Sequence, residues 1–223
     1  MCTSLNTDIE ISGWDRLQEF YRWAFSDLCD DDLKGIFAEW MVSKLLNCPS
    51  PRRVSWADSD IILPSGIHIE VKSSAVWQSW KLVNQDGSRK NPLPLAKPFR
   101  PTCIRFGGLQ ARPTASQWSG DRDFKSHLYV FCFQCQTDPA QWDAQNLQQW
   151  EFYVMNRHEL IELTVGKSIS LAALRNFRLR HPCSMLSPNG SMSAAQFQSF
   201  MQVYTRSWQD RDHPSGGKAK QEP

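Results

Sequence analysis

Apolar positions recur at helical spacing over residues 14–29 (WDRLQEFYRWAFSDLC), where Trp14, Leu17, Tyr21, Phe25 and Leu28 gather near one face. Asp30, Asp31 and Asp32 then offer cap and dipole-favoured charge to a second helix over about 32–47. That helix is apolar almost all round, through Leu33, Ile36, Phe37, Trp40, Met41, Val42, Leu45 and Leu46. Asp32, Glu39 and Ser43 make its one polar stripe, and Lys34 and Lys44 lie off it with stems long enough to reach solvent. Such a helix is expected to be buried, so Glu39 needs a partner. An Arg at the domain edge would serve, as would the acidic site described below.

The pattern then changes to period two. Residues 53–63 read as a strand and 67–76 (IHIEVKSSAV) as another, joined by Pro64-Ser65-Gly66, a three-residue loop with hairpin chemistry. Further strands are predicted at about 102–107, 127–136 and 151–155. Asn156 caps a helix around 157–163, Ser170 another around 171–177, and Ser193 a final amphipathic helix with Phe197, Phe200, Met201 and Tyr204 inward. Residues 81–102, rich in Pro, Lys and Arg, read as an extended and partly mobile insertion. From about residue 209 the tail has no apolar anchor and reads as disordered. Helices, a hairpin, more strands and then helices predict one mixed α/β (α+β) domain over 1–208, with 209–223 as the tail.

Composition narrows the setting. Hydrophobic content of 41% and charged content of 22% are ordinary for a soluble globular chain. No apolar run approaches the ~20 residues of a membrane span. The N-terminus lacks a basic region followed by an apolar core, so the cytoplasm and no membrane partner are expected. Seven thinly spread cysteines point to reduced thiols. Cys132 and Cys135 form a CxxC inside an apolar strand pattern, where residues three apart face opposite ways. A zinc site would have to recruit His181 and Cys183 as well, and structural thiols are the stronger reading.

The charge is uneven. Residues 81–125 hold nine Lys or Arg against three Asp, a local +6, while the whole chain carries +2, which leaves −4 elsewhere. A basic segment flanking an acidic site suits a polyanion, although charge kept for solubility alone would look the same.

The acidic site lies on the hairpin. Ile67, Ile69 and Val71 point to one face of the second strand; His68, Glu70 and Lys72 point to the other. With a three-residue turn Leu63 pairs with Ile67, and Asp60 lies directly across from Glu70. A two-residue turn would send Asp60 to the opposite face. Two opposed carboxylates repel unless a cation or a shared proton compensates them. Mg2+ meets that need, since it takes oxygen ligands and commonly one or two carboxylates. Lys72 adds a positive charge beside it. Asp58, on the same face as Asp60, is the alternative ligand and a potential Lys72 partner. His68 suits a packing or rim role.

Glu39 on an upstream helix, Asp60, the turn and Glu70-Val71-Lys72 together resemble the PD-(D/E)xK nuclease superfamily. The string DIILPSGIHIEVKSSAVWQSW looks like uncharacterised bacterial members, and the resemblance extends more loosely over about residues 33–177. Ser59 stands where a Pro often precedes the Asp. The resemblance implies a restriction-endonuclease-like core, a central mixed β-sheet flanked by helices. It implies a Mg2+-dependent endodeoxyribonuclease, with Mn2+ able to substitute, acting in restriction, phage defence or repair. Asp60, Glu70 and Glu39 would be metal ligands, with the Val71 carbonyl as an additional one. Lys72 would orient the attacking water, and Gln78, with Ser73 or Ser74, would position Lys72 or the phosphate. Trp77 and Trp80 are candidates for base stacking, against the commoner role of core packing. The implied partner is DNA, double-stranded, with a homodimer as one route to cutting both strands. The alternative is a catalytically inactive nucleic-acid-binding module of the same fold. The resemblance gives the 81–102 insertion no role.

Overall fold

A computed structural model describes residues 17–48, 52–54, 57–96, 98–110, 123–163, 166–181 and 190–212. Helices α1 (Leu17–Phe25) and α2 (Asp31–Leu45) precede the hairpin strands β1 (Ile61–Ile62) and β2 (His68–Ala75). Helix α3 (Ser79–Leu82) and strand β3 (Arg105–Phe106) lead to β4 (Leu128–Gln134), β5 (Trp150–Asn156) and α4 (Arg157–Leu163). Strand β6 (Ile169–Ser170), α5 (Leu171–Arg180) and α6 (Ala194–Asp212) complete the order. The chain is mixed α/β: a four-stranded mixed sheet in the order β1-β2-β4-β5, flanked by helices, with β3 and β6 forming a separate two-stranded pair.

Each face of the sheet carries its own core. Strand β4 is buried at every position, and its alternate residues serve both sides. Leu128, Val130 and Cys132 join Ile67, Ile69 and Val71 under Ala38, Met41 and Val42 of α2 and Phe197 and Met201 of α6. Tyr129, Phe131 and Phe133 face the other way, among Phe106, Leu109, Leu160, Leu171 and Leu174. Four of these β4 side chains are large aliphatics or aromatics with no exposure at all, each contributing on the order of 1.5–3 kcal/mol of burial.

The predicted helix caps are in place. Asp30 accepts from the Asp32 and Leu33 backbone N–H groups at 3.0 and 3.3 Å. Asn156 and Glu159 exchange reciprocal bonds of 2.8 and 2.9 Å, as do Ser193 and Gln196 at 2.9 and 3.3 Å. Ser170 accepts from the Ala173 N–H at 3.2 Å.

Three expectations change. Helix α2 is not buried all round: Trp40 is 54% exposed, because a single sheet covers only one side of a helix. Lys34 does not reach solvent but is 3% exposed, held by Asp31 at 2.6 Å and by Gln78 Oε1 at 3.0 Å. The strand expected over 53–63 shrinks to Ile61–Ile62. Continuing the register would set residue 59 against Val71, yet the Asp60 carboxylate takes the Val71 N–H instead, at 2.7 Å. A short polar side chain has displaced a backbone partner.

The 81–102 insertion also acquires a role in the fold. Strands β2 and β4 run parallel, so residues 76–127 must cross from one end of the sheet to the other. Within that crossover Val83 and Arg89 form a small bridge, and Phe99, Ile104, Phe106 and Leu109 pack over the Glu70 face of the sheet. At the C-terminus, α6 continues through Asp212, so the first residues assigned to the tail are helical; 213–223 lie outside the described residues. Trp14 and Cys183 do too. Among the described residues no helix is long and apolar enough to cross a membrane.

Candidate active site

The hairpin adopts the three-residue-turn register. Ile61 pairs with Ile69 and Ile62 with His68, and the Leu63 N–H reaches the Ile67 carbonyl at 3.0 Å. Gly66 holds the turn at φ 79°, a conformation that favours glycine. Pairing ends with Ile61 and Ile69; Asp60 lies one residue outside it, opposite Glu70 only by extension of the same register. Ile67, Ile69 and Val71 are 0, 0 and 6% exposed, whereas His68, Glu70 and Lys72 are only half-buried. The face assignment made from alternation therefore holds.

Strand β1 ends where the site begins. With only two residues in β1, β4 is the strand partner of β2 from Glu70 onward among the described residues, and a side chain meets the other edge. Asp60 caps the Val71 N–H there. The Val71 carbonyl points to the same edge, since both groups of one extended residue address the same side.

Asp60 is electrostatically strained. Its pKa is pushed from the ordinary 3.8 up to about 7, first by burial, then by the Glu70 and Glu39 carboxylates. The Val71 N–H and the Lys72 ammonium oppose the rise without cancelling it. Glu39 reaches this acidic group from α2, which packs on the opposite face, near enough for its charge to act on Asp60. The structure thus brings together Asp60, Glu70, Lys72 and Glu39 from three elements.

Two basic residues hold the acids. Lys72 Nζ lies 2.6 Å from Glu70 Oε1, with both side chains about one-fifth exposed. Arg53 grips Glu39 in a two-pronged pair, Nε to Oε2 at 2.6 Å and Nη2 to Oε1 at 2.9 Å. That bond to Glu39 raises the Arg53 pKa further above its usual value, with the Glu39 and Asp60 charges adding to it against burial. The edge Arg anticipated for Glu39 and the acidic site are therefore the same place.

Other candidates lie elsewhere. Asp58 pairs with Lys125 at 3.2 Å, so it is not the partner of Lys72. Gln78 is committed to Lys34, at the N-terminal end of α2. Trp77 is 6% exposed and packs with Cys29 and Leu82, its indole N–H donating to the Thr137 carbonyl at 3.3 Å; base stacking is unavailable to it. Trp80 is 61% exposed. Ser74 is buried and Ser73 half-buried on β2. His68 Nδ1 lies 3.0 Å from the Ser59 hydroxyl, and its ring meets His127 edge-on at 5.2 Å, which fits a rim role. Cys132 and Cys135 pack against opposite cores, and burial pushes the Cys135 thiol up to about 11 and Cys132 further.

The sequence offered no sign that Arg53 or Gly108 belonged here. Gly108 has φ 65°, and a Cβ on it would lie 3.6 Å from Lys72 Nζ. The loop after β3 therefore passes directly over the lysine head, and the next residue, Leu109, is anchored by its N–H to the Lys167 carbonyl at 3.1 Å. The Gly107-Gly108 pair was the available signal, but nothing local connects it to Lys72.

As a donor set, Asp60, Glu70, Glu39 and the Val71 carbonyl are all hard oxygens, the chemistry Mg2+ selects. Among the described residues no three His, Cys, Asp or Glu side chains are closed into a metal cage. Glu70 and Glu39 instead hold Lys72 and Arg53, so loading a cation requires one or both acids to change partner. The chain matches no family model, and comparison with curated proteins and with solved structures finds no match.

Proposed function

We propose that the chain is a Mg2+-dependent endodeoxyribonuclease with a restriction-endonuclease-like core, hydrolysing DNA phosphodiester bonds. One observation carries the reading: Asp60 faces Glu70 in the hairpin register, beside Glu39 and with Lys72 on the same strand face. A carboxylate whose proton affinity is raised by burial and by two neighbouring acids is a standing demand for a divalent cation. Asp60, Glu70, Glu39 and the Val71 carbonyl would hold it, and Mn2+ would substitute.

When bound, the ion would make water more acidic and neutralise charge on the phosphate. Lys72 would place its ammonium against the attacking water or the phosphate oxygens, where charge develops. Gly108 lies beside that ammonium. The loop carrying it belongs to the basic stretch 81–125, which supports a polyanionic substrate. Cutting both strands would use a homodimer or two successive nicks.

The second reading is a nucleic-acid-binding module without cleavage. It draws on the Lys72–Glu70 and Arg53–Glu39 pairs, which neutralise two of the acids without any ion. Incubating supercoiled, linear and single-stranded DNA with Mg2+ or Mn2+ separates the two. The nuclease reading requires products with the wild-type chain and their loss in Lys72→Ala. Equal behaviour of the two chains on every substrate would refute it.

A further inference from the structure

Arg53 grips a site carboxylate from outside the hairpin, and its place in the acidic cluster has a consequence for loading. Glu39 is 17% exposed and Arg53 45% exposed, so the pair sits at the mouth of the site with its cation outward. Two guanidinium N–H groups donate to Glu39, one to each carboxylate oxygen. A planar fork of this kind fits a carboxylate and a phosphate equally well.

The charges make the exchange balanced. Asp60, Glu70 and Glu39 contribute three negative charges when ionised; Lys72 and Arg53 contribute two positive ones, leaving one negative in excess. A divalent ion turns that excess to one positive charge, which a single phosphodiester neutralises. The loaded site has no electrostatic use for Arg53 on Glu39, and it gains an anion at the exposed end of the guanidinium.

Resting on the nuclease reading, the geometry points to Arg53 as the resident counter-cation of the site: it holds Glu39 until the divalent ion takes that carboxylate, and then binds a phosphate of the DNA backbone. Arg53 is thus a substrate-binding residue that competes with the ion in the free protein. No bond is made or broken in this exchange; one ion pair is replaced by another.

The test uses the full chain and two readouts other than activity. Calorimetric titration with MnCl2 should show Arg53→Ala binding at least about fivefold tighter than wild type, because the cation that competes for Glu39 has gone. Arg53→Lys, which keeps the charge but loses the fork, should fall between them, and it carries the test should Arg53→Ala fail to fold. In a Lys72→Ala background with Ca2+, adding Arg53→Ala should weaken binding of a short fluorescent duplex by about tenfold and flatten its salt dependence by roughly one phosphate contact. Unchanged or weaker Mn2+ binding by the Arg53 variants overturns the exchange while leaving the nuclease reading standing. Unchanged duplex binding overturns it equally. Mn2+ binding that is indifferent to Asp60→Asn in the wild-type background overturns both together.

Discussion

Asp60 stands one residue outside the last β1–β2 pair, and its carboxylate caps the Val71 N–H at 2.7 Å beside the Glu70 charge. The same side chain ends β1 and starts the site. It holds its position by a backbone bond while burial and two neighbouring acids penalise its charge. On the nuclease reading, this carboxylate is the first to be relieved when a cation binds.

That strain predicts a stability profile. The folded-state pKa of about 7 lies above the ordinary 3.8, so the folded chain binds the extra proton between these values and stability falls as pH rises through that window. Asp60→Asn should therefore raise the melting temperature of the metal-free protein at pH 8, by roughly 2–4 °C for about 1 kcal/mol. The gain should shrink towards zero near pH 4. Thermal scans at several pH values in EDTA check this, and a lower midpoint for Asp60→Asn at pH 8 would count against the strain.

Glu70→Gln keeps shape and removes the charge. DNA cleavage in Mg2+ should drop by at least about 10²-fold, the scale of losing a group that stabilises transition-state charge. Mn2+ affinity should weaken in the same variant. Single-turnover cleavage and calorimetry measure the two effects separately.

Gly108 should not tolerate a side chain. Its φ of 65° disfavours any Cβ; the added atom would itself make only an ordinary contact, 3.6 Å from Lys72 Nζ, so backbone strain beside the lysine carries the effect. Gly108→Ala is expected to lose about 1 kcal/mol of stability and to reduce cleavage more than its melting shift accounts for. Cleavage measured well below the melting midpoint separates the two losses.

Gln78 and Lys34 should behave as a structural pair. Lys34→Met leaves the half-buried Gln78 without its donor, while Asp31, 58% exposed, turns to water, with an expected loss of about 1–3 kcal/mol. Gln78→Ala should lower stability as well, yet change cleavage by no more than about threefold at a temperature where it is folded. Urea melts beside single-turnover rates decide whether Gln78 touches the reaction.

Cys132 tests the remaining metal alternative. It is fully buried among apolar side chains, so Cys132→Ser should destabilise by about 1–3 kcal/mol through an unpaired hydroxyl. Elemental analysis of the purified wild-type protein should find no stoichiometric zinc.

The residues most legible in the chain were those governed by local rules. Alternation in IHIEVK set Glu70 and Lys72 on one face, Pro64-Ser65-Gly66 set the register that brings Asp60 opposite Glu70, and Asn156, Ser170 and Ser193 marked their helices. Period, turn chemistry and capping act within a few residues, so the order of neighbours is enough to reveal them. The mixed α/β class followed from the same signals.

The long-range relationships were not legible. That Arg53 grips Glu39, that Lys34 turns inward to Gln78 some 44 positions away, and that Gly108 passes over Lys72 depend on how α2 and the crossover are laid on the sheet. Even Asp60 changed meaning: its place opposite Glu70 is local, but its truncation of β1 and its raised proton affinity arise only once burial and Glu39 from another layer act together. Local geometry chose which acids could meet. Packing chose what surrounds them, because desolvation and charge coupling are properties of the assembled layers and not of any one strand.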